Sequence, residues 1–271
     1  MLRRVRRGSV IQLAAIALVA AVVATAVALF IPWLPASAGE EADRIHFVYW
    51  FTTAICIGVF AVVAAVLGYS IWKFRVKPDD FSDGPPTHGH TQLEIIWTAI
   101  PTVIVLFAGI YSTIILNDIE AEASNQMEVD VTAQQYAWRF DYPEQGVTSN
   151  ELHVPSGTQL ELHLNSLDVI HSFWVPEWGI KRDLVPGSDL PGSDEIDNVV
   201  RVTPDVEGTY SVVCTELCGW GHATMRAAAV VESQQDFDAW AKDQPKIPDG
   251  NVSTGAAGGH GAGVYSDQVS K

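Results

Sequence analysis

The sequence is short of three things: cysteine, basic charge and, over long stretches, charge of any kind. Three Cys in 271 residues cannot make a disulfide framework. Sixteen Lys and Arg against 32 Asp and Glu leave a formal net charge of −16, which argues against a nucleic-acid partner. Charged side chains are missing altogether from residues 8–39, 45–72 and 95–117. Each gap exceeds the roughly 20 apolar residues needed to cross a bilayer, so a wholly soluble chain is excluded. With 48% apolar residues, the remainder suffices for about one soluble domain beside the anchoring segments.

The first gap follows Arg3, Arg4, Arg6 and Arg7 and ends on Ala36-Ser37-Ala38, a small-residue cleavage pattern before Gly39. Residues 1–38 therefore read either as a signal peptide or as an additional N-terminal transmembrane helix. The other two gaps predict a transmembrane helical hairpin over 45–117, with helices at about 46–72 and 95–117. Pro101 lies inside the second helix, where neighbouring groups can satisfy the carbonyl it frees. The connector starts Lys73-Phe74-Arg75-Val76-Lys77, and positive charge in a short loop marks the cytoplasmic side. Everything after Asp118 then lies outside the cell, on a multi-pass protein of the plasma membrane.

Charge divides the same way. From Asp118 onward there are 25 acidic and 8 basic residues, whereas residues 1–117 have 7 and 8. Such a surface attracts a basic partner or keeps a halophile-like protein hydrated in salt, and charge alone does not separate these readings. In the exported part, Met127, Val129 and Val131 alternate with polar residues, as do Leu160, Leu162 and Leu164. Short β-rich runs recur at 199–202, 209–213 and 227–231, with turn signals at Pro155-Ser156-Gly157, Pro186-Gly187 and Glu207-Gly208. The pattern predicts an antiparallel β-sandwich or barrel over 118–248. A short helix capped by Ser233 follows, and residues 249–271, rich in Gly, Ala and Ser, predict a disordered tail.

The metal chemistry is concentrated in Cys214-Thr215-Glu216-Leu217-Cys218-Gly219-Trp220-Gly221-His222-Ala223-Thr224-Met225. Thiolate, imidazole and thioether form a soft ligand set that selects copper over magnesium, calcium or manganese. A mononuclear electron-transfer copper takes one Cys, two His and a weak axial Met, so the second Cys is one thiolate too many. Two thiolates can bridge two metals, and each metal then needs its own His. His163 shares a strand face with Glu161 and Asn165 and points to solvent, and His153 flanks a turn. His171 follows the apolar 167–170 segment and precedes Phe173-Trp174-Val175-Pro176, which makes it the best candidate for the second imidazole. Two other readings stay open here: a Cys214–Cys218 disulfide, or zinc on Cys214, Cys218 and His222. Either would make the domain a non-catalytic copper-binding, storage or adhesion module.

The Cys-x-Glu-x-Cys-x-x-x-His-x-x-Met pattern, with Asp168-Val169-Ile170-His171-Ser172-Phe173-Trp174-Val175-Pro176 upstream, closely resembles subunit II of cytochrome c oxidase. So do Leu93-Glu94-Ile95-Ile96-Trp97-Thr98-Ala99-Ile100-Pro101 and Gln135-Tyr136-Ala137-Trp138-Arg139-Phe140-Asp141-Tyr142, and the likeness spans roughly residues 45–240. The resemblance implies a two-helix transmembrane hairpin followed by an all-β cupredoxin-like Greek-key sandwich carrying two copper ions, the CuA centre. It implies that Cys214 and Cys218 bridge the coppers, that His171 and His222 each cap one, that Met225 is a weak ligand and that Glu216 binds through its backbone carbonyl. The Glu216 side chain would help hold magnesium at the contact with subunit I.

Electrons would come from cytochrome c or a small blue copper protein and pass to haem in subunit I. There, within an assembly of further oxidase subunits, oxygen is reduced to water and protons are translocated. The resemblance makes Tyr136 and Trp138 candidates for the point where electrons enter, although Tyr136 stands where the family has Trp. Glu94 matches an acid at the cytoplasmic mouth of a proton channel. The family's Pro-Gly-Arg is Pro186-Gly187-Ser188 here, followed by an acidic loop over 189–198. Quinol oxidase subunit II shares the fold but lacks the two Cys, and nitrous oxide reductase carries the copper loop on a soluble enzyme. Cys56, within a membrane helix, reads as a small apolar residue.

Overall fold

The computed structural model of the protein describes residues 7–76, 79, 83, 84, 86, 88–187 and 198–247. The arginines before Arg7, residues 188–197 of the acidic loop, and the 249–271 tail lie outside them. The described residues cluster into two units, one of Met1–Pro35 with His46–Ile115 and one of Ala36–Ile45 with Leu116–Lys271.

In the first unit, α1 (Arg7–Phe30), α2 (Glu40–Lys73) and α3 (Thr91–Ile119) follow the three uncharged gaps. All three are long and apolar enough to cross a membrane, one more than the hairpin alone provides. The extra candidate is α1, whose Leu18, Val22 and Leu29 stand exposed, as expected of a helix solvated by lipid. Phe51 and Tyr111 meet at 5.8 Å and Phe51 and Phe107 at 6.1 Å, so rings on α2 and α3 interlock. Pro101 lies within α3 without ending it.

The second unit is a sandwich of two five-stranded sheets. One has the order β3 (Val147–Ser149), β2 (Ala137–Tyr142), β1 (Met127–Gln134), β5 (Leu160–Ser166) and β8 (Val199–Val202). The other has β4 (Leu152–Pro155), β10 (Arg226–Glu232), β9 (Gly208–Cys214), β6 (His171–Val175) and β7 (Ile180–Leu184). Alternation works as the sequence predicts: Met127, Val129, Val131, Leu160, Leu162 and Leu164 are buried between the sheets. Two of the pairings differ from a purely antiparallel sandwich, because β1 pairs with β5 and β10 with β4 in parallel. Parallel neighbours need long connections, and the whole β2–β4 excursion supplies the first of them. Fully buried Phe140, Tyr142, Phe173, Trp178 and Phe237 fill the centre. α4 (Gln234–Asp243) starts at Ser233, whose hydroxyl accepts the Asp236 N–H at 3.2 Å.

Residues 36–45 are built into this second unit. Ala38 donates its N–H to the Glu177 carbonyl at 2.8 Å and accepts from the Asp205 N–H at 3.3 Å. Glu40 donates to the Thr203 carbonyl at 3.1 Å, and Gly39 bridges to Pro204. The Glu41 carboxylate, 5% exposed, accepts from the Thr203 N–H at 2.8 Å and from its hydroxyl at 3.1 Å. Gly179 has a φ of 71° and a missing Cβ that would stand 3.0 Å from the Ala42 Cα, so glycine answers both demands there.

Candidate metal centre

Strand pairing brings the ligand candidates together. β6 opens on His171 and β9 closes on Cys214, and with Phe173 opposite Cys214 in register both residues fall at one end of the same sheet. Residues 215–225 then return to β10. The Cys214 N–H donates to the Met225 carbonyl at 3.2 Å and the Thr215 N–H to the Ser172 carbonyl at 3.0 Å, which pins the base of the loop.

Within it the donor atoms converge. The two Sγ atoms are 3.8 Å apart. Cys214 Sγ lies 3.7 Å from His171 Nδ1 and 3.4 Å from the Glu216 carbonyl oxygen. Cys218 Sγ lies 3.7 Å from His222 Nδ1 and 3.8 Å from Met225 Sδ. Each sulfur thus has its own imidazole, with the carbonyl beside Cys214 and the thioether beside Cys218. His171 and Met225 are fully buried, and Cys214 and Cys218 nearly so. Burial and the neighbouring Cys214 thiol push the Cys218 thiol up to about 11, so a metal binding there displaces a proton.

A disulfide requires about 2.05 Å between sulfurs, and both thiols are free. Two sulfurs with one imidazole each, plus a thioether and a carbonyl, offer more donors than the four positions of a structural zinc and suit soft metal ions.

Asp168 orients His171. Its carboxylate accepts from His171 Nε2 at 2.9 Å, leaving the Nδ1 lone pair to face Cys214. Burial alone would raise Asp168, but that bond and the N–H groups of Gln135 and Val169, both at 2.7 Å, outweigh it and hold the carboxyl below its usual range. Gln135 also reaches the metal loop, its Nε2 donating to the Cys218 carbonyl at 2.5 Å. Neither role was read from the sequence, although both residues stand in the motifs quoted above; the signal was polar residues within three positions of a ligand or of an aromatic. Asp168→Asn keeps the shape and loses the charge. Its copper affinity is expected to fall at least about tenfold in a chelator competition, and an unchanged affinity would remove the orienting role.

The other sequence candidates lie as follows. Trp138 is buried with its ring edge-on to His171 at 6.4 Å and to Phe173 at 5.7 Å, so it packs the wall of the site. Tyr136 is partly exposed, and it lies against Gly219 and Gly221, where a Cβ would collide with its hydroxyl oxygen and its ring respectively. The Glu216 side chain is on the exposed face of the loop. Glu94, in the first turn of α3, accepts the His90 N–H at 3.0 Å and so closes the start of that helix. His163 pairs with Glu161 at 3.2 Å on the outer sheet face. His153 is far from idle: it stacks on Trp240 at 4.2 Å and bonds Glu232 at 3.0 Å. Among the described residues, the group of His, Cys and carboxylate side chains close enough to share an ion is His171, Cys214 and Cys218.

Comparison with known proteins agrees with this layout. The family model for cytochrome c oxidase subunit II, transmembrane domain, matches residues 17–115, and the model for its periplasmic domain matches residues 144–233. Cytochrome c oxidase subunit 2 of Synechocystis sp. is 32% identical over 262 residues, covering 79% of this chain and 76% of that protein. The protein of the same name from Thermostichus vulcanus is 31% identical over 268 residues, covering 79% of each. Among solved structures, the periplasmic domain of subunit II of cytochrome oxidase from Bradyrhizobium japonicum is 26% identical, with a TM-score of 0.40, and covers 45% of this chain and 94% of that one.

Proposed function

The chain belongs to the cytochrome c oxidase subunit II family, and from that premise we propose that Cys214, Cys218, His171, His222, Met225 and the Glu216 carbonyl hold two copper ions. The protein is the electron-accepting subunit of a terminal haem-copper oxidase, a membrane protein with an extracytoplasmic domain. The observation that carries the copper assignment is the pairing of each thiol with its own imidazole at 3.7 Å.

Such a centre, when loaded, takes up and releases one electron at a time with no bond made or broken between donor and acceptor. The protein's contribution is to keep the ligands still. Cys214 and Met225 sit at strand ends joined by a backbone hydrogen bond, His171 is oriented by Asp168, and Gln135 tethers the Cys218 carbonyl. The buried sulfurs are shielded from water, so little solvent must rearrange as the charge changes. The finer reading follows the family: helices α2 and α3 as the hairpin with α1 as a retained third span, residues 118–248 as a Greek-key cupredoxin outside the plasma membrane, and Glu216 with magnesium beside subunit I. The donor is a cytochrome c or a blue copper protein, and electrons leave to haem in subunit I. A storage module would not need the membrane-spanning helices, so it is disfavoured.

Copper content tests the proposal. The purified full chain, reconstituted with copper, is expected to hold two coppers with an electron paramagnetic resonance signal delocalised over both. One zinc per chain, or a Cys214–Cys218 disulfide that resists mild reduction, would refute it.

A further inference from the structure

Trp220 is fully exposed, an unusual position for the largest apolar side chain in a unit that faces water. It sits midway along the metal loop, two residues from Cys218 and two from His222. Gly219 and Gly221 on either side have surrendered their side-chain space to the Tyr136 ring, so the loop lies flat on Tyr136 and Trp220 is turned outward. Gly219, at a φ of 128°, also adopts a conformation that favours glycine.

Trp220 does not stand alone. Among the described residues from Asp118 onward, eight large apolar side chains are exposed, and six of them belong to three loops: Tyr136; Leu167, Val169 and Ile170; Leu217 and Trp220. Hydrogen bonds join those loops, from the Gln135 N–H to Asp168 and from Gln135 Nε2 to the Cys218 carbonyl. Most of the exposed apolar surface from Asp118 onward therefore lies on the thiol-bearing loop and the two loops bonded to it, while the exported part as a whole carries 25 acidic and 8 basic residues. Exposed apolar side chains that include a tryptophan, on a part of the chain with a strong net negative charge, mark an interaction surface.

Resting on the copper assignment above, we propose that Trp220 is the docking residue for the electron donor in this chain, and that the donor is a basic protein whose redox centre is reached through an apolar rim. One electron passes from the reduced donor to the oxidised copper site, so the donor is oxidised by one unit and the site reduced by one. Tyr136, at the position where the family has Trp, lies beneath the loop and supports its backbone. Trp220 supplies the outward aromatic surface. Long-range steering comes from the acidic field and weakens with salt, whereas the contact at Trp220 is short-ranged and does not.

The test compares the assembled oxidase with its Trp220→Ala and Trp220→Phe forms, using a basic soluble cytochrome c as donor and hexaammineruthenium(II) as a small reductant that needs no docking surface. In stopped flow, Trp220→Ala is expected to lower the second-order rate with cytochrome c about thirtyfold, the loss typical of a central interface tryptophan. The loss should be equal at low and high salt, with the salt slope unchanged, and Trp220→Phe should recover part of it. Affinity for oxidised cytochrome c, measured without turnover, should fall in parallel. Reduction by hexaammineruthenium(II) should not change. An unaltered cytochrome c rate would overturn the proposal, as would loss of subunit I on purification, which would place Trp220 against the oxidase instead. Failure of the wild type to bind copper would refute the copper assignment and is visible before any variant is made.

Discussion

His171→Ala is expected to abolish stable copper binding, lowering occupancy at equal free copper by at least about a hundredfold, while His163→Ala leaves it intact. The two histidines sit on strands of the same sandwich, and their surroundings explain the contrast. His171 is fully buried, with Nδ1 3.7 Å from Cys214 Sγ and Nε2 held by Asp168. His163 faces outward from β5 and pairs with Glu161 and Glu128 at 3.2 and 3.7 Å. Removing the first leaves one sulfur without its imidazole and an anion at Asp168 without its partner. Removing the second disturbs only the contacts with Glu161 and Glu128 and leaves both sulfurs with their imidazoles. Copper per chain after dialysis against a chelator reads the difference, with His171→Gln as a second variant that keeps side-chain volume. Equal losses from both positions would show that burial phase had selected the wrong ligand.

The second large effect is expected far from the copper. Glu41→Ala should destabilise the β unit by about 3 kcal/mol, because it strands the Thr203 N–H and hydroxyl in a buried position where a carboxylate had accepted from both. Glu41→Gln, which keeps an acceptor, should recover part of that. Chemical denaturation of the detergent-solubilised protein, followed by release of copper and by tryptophan fluorescence, gives the midpoints. Identical midpoints for wild type and Glu41→Ala would mean that residues 36–45 lend the sandwich no stability.

How much of this was legible depends on the length scale of each contact. Cys214, Cys218, His222 and Met225 are neighbours in sequence, and spacing with ligand chemistry singles them out as candidates whose donor atoms the fold brings together. His171 is 43 residues from Cys214. The apolar run that ends on it points to a buried strand terminus, and the structure buries it beside Cys214. Asp168 is three residues from His171, yet its role depends on a turn that folds it back beneath the ring, and no periodicity announces that. The parallel pairs β1–β5 and β10–β4 escaped for a related reason: alternation reports which face a residue takes and nothing about the direction of the neighbouring strand. The outward turn of Trp220 was hidden because an aromatic between two glycines looks the same in sequence whether it points in or out. Residues 36–45 read as the edge of a cleavage site. Their burial depends on Thr203, 162 residues away from Glu41, a separation at which local pattern carries no information.

That separation also sets an order of events during synthesis. Glu41 emerges early and Thr203 late, so the contacts that bury Ala38 and Glu41 cannot close until about 160 further residues have been made and moved across the membrane. Until then Ala36-Ser37-Ala38 lacks the backbone partners that bury it in the folded unit. Once the sandwich closes, Ala38 is 3% exposed and hydrogen-bonded on both sides, and the same tripeptide is protected. Any cleavage after Ala38 would therefore have to precede the closing of Thr203 onto Glu41, and the folded sandwich keeps α1 attached.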